Sequence, residues 1–245
     1  MKDLRKLSRR SVRTERRLFL ADGPNAVEAA LEAGCVEEVF ARPGADDLLP
    51  DLADGVRLTW VDDRALGSLS ESVSPGGVVA LCRYVDVPLA EALAGARLVA
   101  ICADVRDPGN AGTVIRCADA AGADAVVLAG SSVDAYNAKT VRASAGSLFH
   151  LPVSVERSAE AAVRAAKDAG LTVLAADGAG ETRLYDAPAG PTAWLFGNEA
   201  WGLPADLADL ADHRVAIPIH GRAESLNLST AAALCLYESA RRRGA

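Results

Sequence analysis

The 245-residue chain is half hydrophobic and 24% charged, with aromatics at only 4%. That balance excludes a disordered polypeptide and implies a core built from Ala, Val and Leu. No apolar run reaches the roughly 18 residues of a membrane span, no apolar stretch follows the charged N-terminus as in a secretory signal, and the net charge of −7 argues by itself against a nucleic-acid partner.

The charge is unevenly placed. Residues 1–17 hold eight basic side chains against Asp3 and Glu15, a local +6 that leaves −13 on the other 228 residues. A basic arm on an acidic body suits contact with phosphate backbones, and it equally suits a solvated N-terminal helix. After this arm, Leu18–Leu20 reads as a strand, 22–25 as a turn and Ala26–Ala33 as a helix closed by Gly34. Val36–Ala41, Val56–Val61 and Gly77–Tyr84 read as strands, with short helices over Asp46–Ala53 and Asp63–Ser70. Residues 18–84 therefore form a small α/β unit, and 85–95 read as a linker with a helical turn at Leu89–Leu93.

From residue 96 to 245 a longer unit follows. Leu98–Ala103 is a continuous apolar run, as a buried parallel strand requires. Ala125–Leu128, Leu171–Ala176, Ala193–Phe196 and Val215–Ile217 are further strands, and helices are expected over Asn110–Ala121, Lys139–Ser147, Ala159–Ala169 and Ser225–Arg242. Alternating strands and helices imply an α/β fold with a parallel sheet covered on both faces. Ligands on such sheets bind beyond the carboxyl ends of the strands. Five cysteines without a Cys-x-x-Cys pair give no disulfide framework or cysteine-rich zinc site, and His150, His213 and His220 lack metal-ligand spacing, so no metal is expected and a reducing cytoplasm fits.

Three segments at strand ends break the local rules. Asp107–Arg116 passes through Pro and two Gly into a helix, with Asn110 where an N-cap would stand. Leu195–Leu203 runs from an apolar strand straight into Gly197-Asn198-Glu199, where the Gly admits a ligand to the backbone and Glu199 offers an acceptor. Ile217–Ser229 leaves a strand through Pro218 and enters the final helix, with Ser225 or Asn227 as its cap. Taken singly, each is also an ordinary strand-to-helix turn.

Together, in order and spacing, the three segments resemble the motifs of the SpoU/TrmH family of RNA 2′-O-ribose methyltransferases. Asp107, Pro108, Asn110, Gly112 and Arg116 fill the first; Phe196, Gly197, Asn198, Glu199, Gly202 and Leu203 the second; Ile217, Pro218, Gly221, Ser225, Leu226, Asn227 and Ser229 the third. The segment 141–146 is similar too, and the resemblance spans about 97–240 and, more loosely, 18–84. Ala200 and Trp201 depart from the commoner Gly and basic residue of the second motif.

The resemblance implies an enzyme that methylates a ribose 2′-hydroxyl in RNA, with 23S rRNA as first choice. The alternatives are the same reaction on tRNA and an RNA-binding or ribosome-assembly protein that has lost catalysis. It implies S-adenosylmethionine as cofactor in a C-terminal trefoil knot, a homodimer, and a small N-terminal substrate-binding domain. In the family, backbone groups of the second and third motifs hold the cofactor, which carried over implicates Leu195, Gly197, Asn198, Ile217, Ile219 and Leu226. Arg116, Asn110, Glu199, Ser225 and Asn227 make up the catalytic set, and Arg142 joins Arg9, Arg10 and Arg13 of the arm as RNA contacts. An Arg, with a pKa above roughly 12, is a poor base, so Arg116 is expected to orient the nucleotide.

Overall fold

The computed structural model describes residues 1–49, 52, 54–70 and 76–243. A 3₁₀ turn (Leu4–Ser8) and helix α1 (Arg10–Arg16) precede β1 (Leu18–Asp22), α2 (Pro24–Glu32), β2 (Val36–Ala41), β3 (Arg57–Trp60), α3 (Asp63–Gly67) and β4 (Val78–Arg83). The four strands form a mixed sheet in the order β1-β4-β2-β3, with β4 antiparallel to both neighbours and β2 parallel to β3. Of the helix expected over Asp46–Ala53, Asp46–Leu48 is a 3₁₀ turn, while Pro50, Asp51 and Ala53 lie outside the described residues.

The basic N-terminus is a docked element rather than a free arm. Leu7 is buried among Phe40, Leu66, Leu69, Val79 and Leu81, with Leu4 and Val12 packed on the same cluster. Arg13 is buried as well. Its guanidinium donates to Asp134 Oδ2 at 2.6 and 2.9 Å and to the carbonyls of Leu7 and Ser8 at 2.7 and 2.8 Å. Every donor direction of Arg13 in these contacts points inward, which removes it from the RNA contacts expected of it. Arg9 and Arg10 remain exposed.

Residues 85–95 are docked too. The Val87 N–H donates to Val153 O at 3.0 Å, and helix α4 (Leu89–Leu93) buries Ala92 and Leu93. The large unit then runs β5 (Leu98–Ala103), α5 (Pro108–Ala120), β6 (Ala125–Ala129), α6 (Ala138–Ser144), β7 (Val153–Glu156), α7 (Ala159–Asp168), β8 (Thr172–Ala176), β9 (Thr182–Arg183), β10 (Thr192–Phe196), α8 (Ala205–Ala208), β11 (His213–Ala216) and α9 (Leu228–Arg243). Seven strands, all paired in parallel, lie in the order β7-β6-β5-β10-β8-β11-β9.

The period of two along each strand divides its side chains between two cores. Leu98, Ala100 and Cys102 of β5, with Trp194 and Phe196 of β10, face a cluster shared with α5, α6, α9 and the small unit. Val99, Ile101 and Ala103, with Ala193 and Leu195, face a second cluster that includes α4 and α7. Burial pushes the Cys102 thiol up to about 12, as befits a core residue. The helix expected to reach Ser147 stops at Ser144, because Ala145 turns left-handed at φ 50°. Gly146 follows at φ 99°, where a Cβ would lie 3.3 Å from both Ala29 Cβ and Asn25 O of the small unit. Among the described residues no helix is long and apolar enough to cross a membrane.

Candidate active site

The site lies beyond the carboxyl ends of β5, β10, β8 and β11. β5 ends at Ala103, and Asp104 turns left-handed at φ 55°, an orientation L-residues rarely adopt. Its side chain compensates, with Oδ1 accepting from the Ser131 N–H at 2.6 Å. The redirected chain reaches Asp107, which caps α5 by accepting from the Asn110 N–H at 2.8 Å, with Pro108 at the first helical position. Asp107 is thus the cap and Asn110 is freed for other work, the reverse of the local expectation. Lys139 donates to Asp107 Oδ2 at 2.9 Å, and that bond is the chief reason the carboxyl sits below its ordinary pKa.

β10 delivers the second segment. Asn198 and Gly202 exchange two backbone hydrogen bonds of 2.9 Å and close a tight turn. The turn needs Gly197, because a Cβ there would stand 2.4 Å from the Gly202 carbonyl carbon. Asn198 is buried and donates to Asp104 O at 2.7 Å, while its Oδ1 accepts from the Ala200 N–H at 2.8 Å.

Glu199 then ties the segments together. Its oxygens accept from the N–H groups of Arg106 at 3.1 Å and Asp107 at 3.0 Å, and from Asn110 Nδ2 at 3.3 Å. Burial alone would raise the Glu199 pKa, but its own backbone N–H and these three donors together outweigh it and hold the carboxyl below its usual value. Asn110 Oδ1 accepts in turn from Asn227 Nδ2 at 3.0 Å. Asn227 Oδ1 accepts from the N–H groups of Ser229 and Thr230 at 2.9 and 3.4 Å, which caps α9. The final helix therefore begins at Leu228 rather than at Ser225.

Beside this chain of bonds is a cavity of about 340 Å³. Gly197, Asn198, Glu199, Ile217, Ile219, Ser225 and Leu226 line it, seven of the residues expected at the site. Leu195, expected to act through its backbone, is not among the lining residues: its side chain is buried on the opposite face of β10, and the next residue, Phe196, faces the cavity. The expectation missed Ala176, the last residue of β8, and Asp177 and Gly178 after it, which also line the cavity. Their signal was positional, since β8 neighbours β10 and ends at the same edge of the sheet. Glu224 contributes a further carboxylate.

Two expected arginines lie elsewhere. Arg116 is exposed on α5, off the cavity lining, with no ion pair among the described residues. Arg142 on α6 sits at the junction of the two units, its Nη1 3.9 Å from Asp22 Oδ2. No cluster of His, Cys, Asp or Glu suited to a metal ion occurs among the described residues.

The sequence model of the SpoU rRNA Methylase family matches residues 97–237, and that of the MRM3-like substrate binding domain matches residues 1–80. The 23S rRNA (guanosine(2553)-2′-O)-methyltransferase RlmP of Bacillus subtilis is 37% identical over 97% of this chain and 94% of its own length. The AdoMet-bound rRNA methyltransferase from Sinorhizobium meliloti superposes with a TM-score of 0.85 at 34% identity, covering 99% of this chain and 94% of that one. The SpoU methyltransferase AviRb from Streptomyces viridochromogenes, in complex with the cofactor AdoMet, gives 0.86 at 30% identity, covering 100% and 97%. An α/β fold with a seven-stranded parallel sheet, a separate N-terminal unit and three strand-end motifs joined through Glu199 and Asn110 place this chain in the SpoU rRNA methylase family.

Proposed function

We propose that the protein transfers a methyl group from S-adenosylmethionine to a ribose 2′-hydroxyl of RNA, with 23S rRNA as its substrate. The observation that carries this reading is the union of the three motifs: the second and third line one cavity, and the first is joined to both beside it through the bonds Glu199–Asn110 and Asn110–Asn227. The cavity suits the cofactor chemically. Ile217, Ile219 and Leu226 offer apolar surface to an adenine, the cradle at Gly197 exposes backbone, and the carboxylates of Asp177 and Glu224 suit a ligand bearing an ammonium and a sulfonium. When bound, S-adenosylmethionine supplies an already activated methyl group.

The chain's own residues supply position and field. Glu199 has its oxygens engaged by three donors, so it fixes the entry to α5 rather than taking a proton. Asn110, Ser225 and Asn227 set the polar edge against which the ribose lies. Arg116 orients the hydroxyl or its phosphate, and Arg142 meets phosphate near the junction of the units.

The reading includes a homodimer, supported by the exposed Leu234 and Tyr237 on α9, a helix packed against α5. It includes a trefoil knot, supported by the route of the chain: β11 lies two places from β10, and α9 returns to pack on β5, β10 and α5. An rRNA substrate and five free thiols support a reducing cytoplasm.

The test is methyl transfer from labelled S-adenosylmethionine to separate unmodified pools of large-subunit rRNA, small-subunit rRNA and tRNA, with wild type and Arg116→Ala. The expected result is alkali-resistant label in large-subunit rRNA, lost in the variant. Label in tRNA alone would move the substrate class, and absence of both label and cofactor binding would refute the enzyme.

A further inference from the structure

The second motif carries a residue that the reading above leaves unused. Trp201 is 60% exposed, the most exposed large hydrophobic side chain among the described residues. Single exposed apolar residues are common on protein surfaces and need no function. This one differs in how its backbone is held and in the motif that carries it. It stands between Ala200 and Gly202, both of which line the cavity, so the turn that carries the indole borders the cavity while the side chain itself is turned to solvent. The turn beneath it is fixed by the paired Asn198–Gly202 bonds, by the Ala200 N–H on Asn198 Oδ1 and by Asn198 Nδ2 on Asp104 O. The backbone that presents the ring is therefore rigid, while the ring has no aromatic or cation–π contact among the described residues. Arg106, whose N–H holds Glu199, and Arg222 of the loop before α9 are both exposed and without an ion pair among the described residues.

We infer that Trp201 is a stacking platform for an unpaired nucleobase of the RNA, at or beside the nucleotide that receives the methyl group. This rests on the RNA methyl-transfer reading. An exposed indole on a rigid turn meets a base face with little ordering cost, and every base has such a face. Structured RNA is read largely through unstacked bases laid on aromatic rings, with neighbouring guanidinium groups on the phosphates. A nucleotide drawn out of the helical stack to bring its 2′-hydroxyl to the cavity loses its stacking partners, and a ring on the turn bordering the cavity offers the displaced base a replacement.

The chain holds three tryptophans. Trp194 is buried, so a Trp60→Phe background leaves Trp201 as the only exposed indole among the described residues. In that background, titration with an unmodified 23S rRNA transcript should quench the exposed emission, and adding Trp201→Phe should abolish the change. Trp201→Ala should weaken RNA binding and raise the RNA KM by about tenfold or more, the scale of one base stack removed. S-adenosylmethionine affinity should stay within about twofold, and Trp201→Phe should restore most of the RNA affinity.

Wild-type RNA affinity in Trp201→Ala would overturn the assignment. So would an equal loss of cofactor affinity, which would make Trp201 a structural part of the turn. Quenching that follows protein concentration without RNA would place a second copy of the chain over the ring instead. If the wild-type protein transfers no methyl group and binds no RNA, the underlying reading fails with it, whereas an active wild type matched by Trp201→Ala removes the stacking platform alone.

Discussion

At the first turn of α9 the amide of Asn227 does two things with its two ends. The oxygen caps the helix through Ser229 and Thr230, and the nitrogen donates to Asn110 Oδ1. Asn110 cannot simply turn over, because its own nitrogen faces the Glu199 carboxylate. Asn227→Asp separates the two roles. A carboxylate caps a helix as well as an amide does and suits the positive end of the dipole, so thermal stability should stay within about 1 kcal/mol of wild type. Towards Asn110, however, an acceptor then meets an acceptor, and rotating Asn110 only moves the clash onto Glu199. Methyl transfer should fall by about tenfold or more while the melting temperature barely moves, since one misplaced hydrogen bond at a positioned site costs on the order of 1–3 kcal/mol. Equal losses of activity and stability would show that the amide only caps.

Elements, rather than residues, explain Gly112. It sits inside α5, where glycine costs about 1 kcal/mol relative to alanine. A Cβ there would lie 2.4 Å from Thr140 O and 2.6 Å from Ala143 Cβ, so the glycine lets α6 lie directly against α5. Gly112→Ala should destabilise the protein by about 3 kcal/mol, seen as a fall in Tm of at least about 6 °C. At the other end of α9, Glu238 accepts from Arg241 and Arg242, and Arg242 reaches across to the carbonyls of Tyr185 and Ala187. The bond from Arg241 chiefly, and that from Arg242 against the opposing effect of burial, hold the Glu238 carboxyl at about 2 rather than 4.5. A pKa lowered by folding stabilises the protein above the unfolded value and ceases to do so as pH falls through the folded value. Glu238→Gln should therefore lower Tm by about 4–6 °C near neutral pH. The gap between variant and wild type should close as pH is taken from about 4.5 towards 2. The sequence discloses these elements unevenly. The strands of the large sheet are plain because β5, β6, β8 and β10 are apolar on both faces. The two-residue β9 and the half-exposed β7 were missed because neither has such a run. Asn198, Glu199 and Asn227 stand out because polar side chains follow directly on apolar strands or precede a helix. Asp177 does not stand out, because it comes to the cavity only through the crossover that sets β8 beside β10.

At the scale of the whole molecule, the two units share one core. Phe19 of the small unit lies with its ring centroid 4.6 Å from that of Tyr136, and Tyr136 stacks on Tyr84 at 3.7 Å. The Tyr136 hydroxyl accepts from the N–H groups of Val85 and Asp86 at 2.8 and 2.6 Å and donates to Asp86 Oδ1 at 2.8 Å. The N-terminal segment crosses the same junction through Arg13 and Asp134, whose side chains are only 5% and 11% exposed. Charge counting treats the arginines of this segment alike, but burial sorts them, because Leu4, Leu7 and Val12 anchor one face of the segment and turn Arg9 and Arg10 outward. Arg13→Ala would strand the Asp134 carboxylate in a buried setting, an event that costs about 3–5 kcal/mol, so its Tm should drop by at least about 6 °C. Arg9→Ala and Arg10→Ala should leave Tm unchanged and act on RNA alone. Each phosphate that the protein no longer neutralises takes about 0.7–0.9 off the slope of log affinity against log salt. Binding isotherms with the 23S rRNA transcript, taken across about 50–200 mM KCl, should therefore give a shallower slope for Arg9→Ala and Arg10→Ala and a shallower one still for the double variant. If both surface variants keep the wild-type slope, the basic residues of the N-terminus serve to fasten the two units together, and the RNA path lies across another face of the molecule.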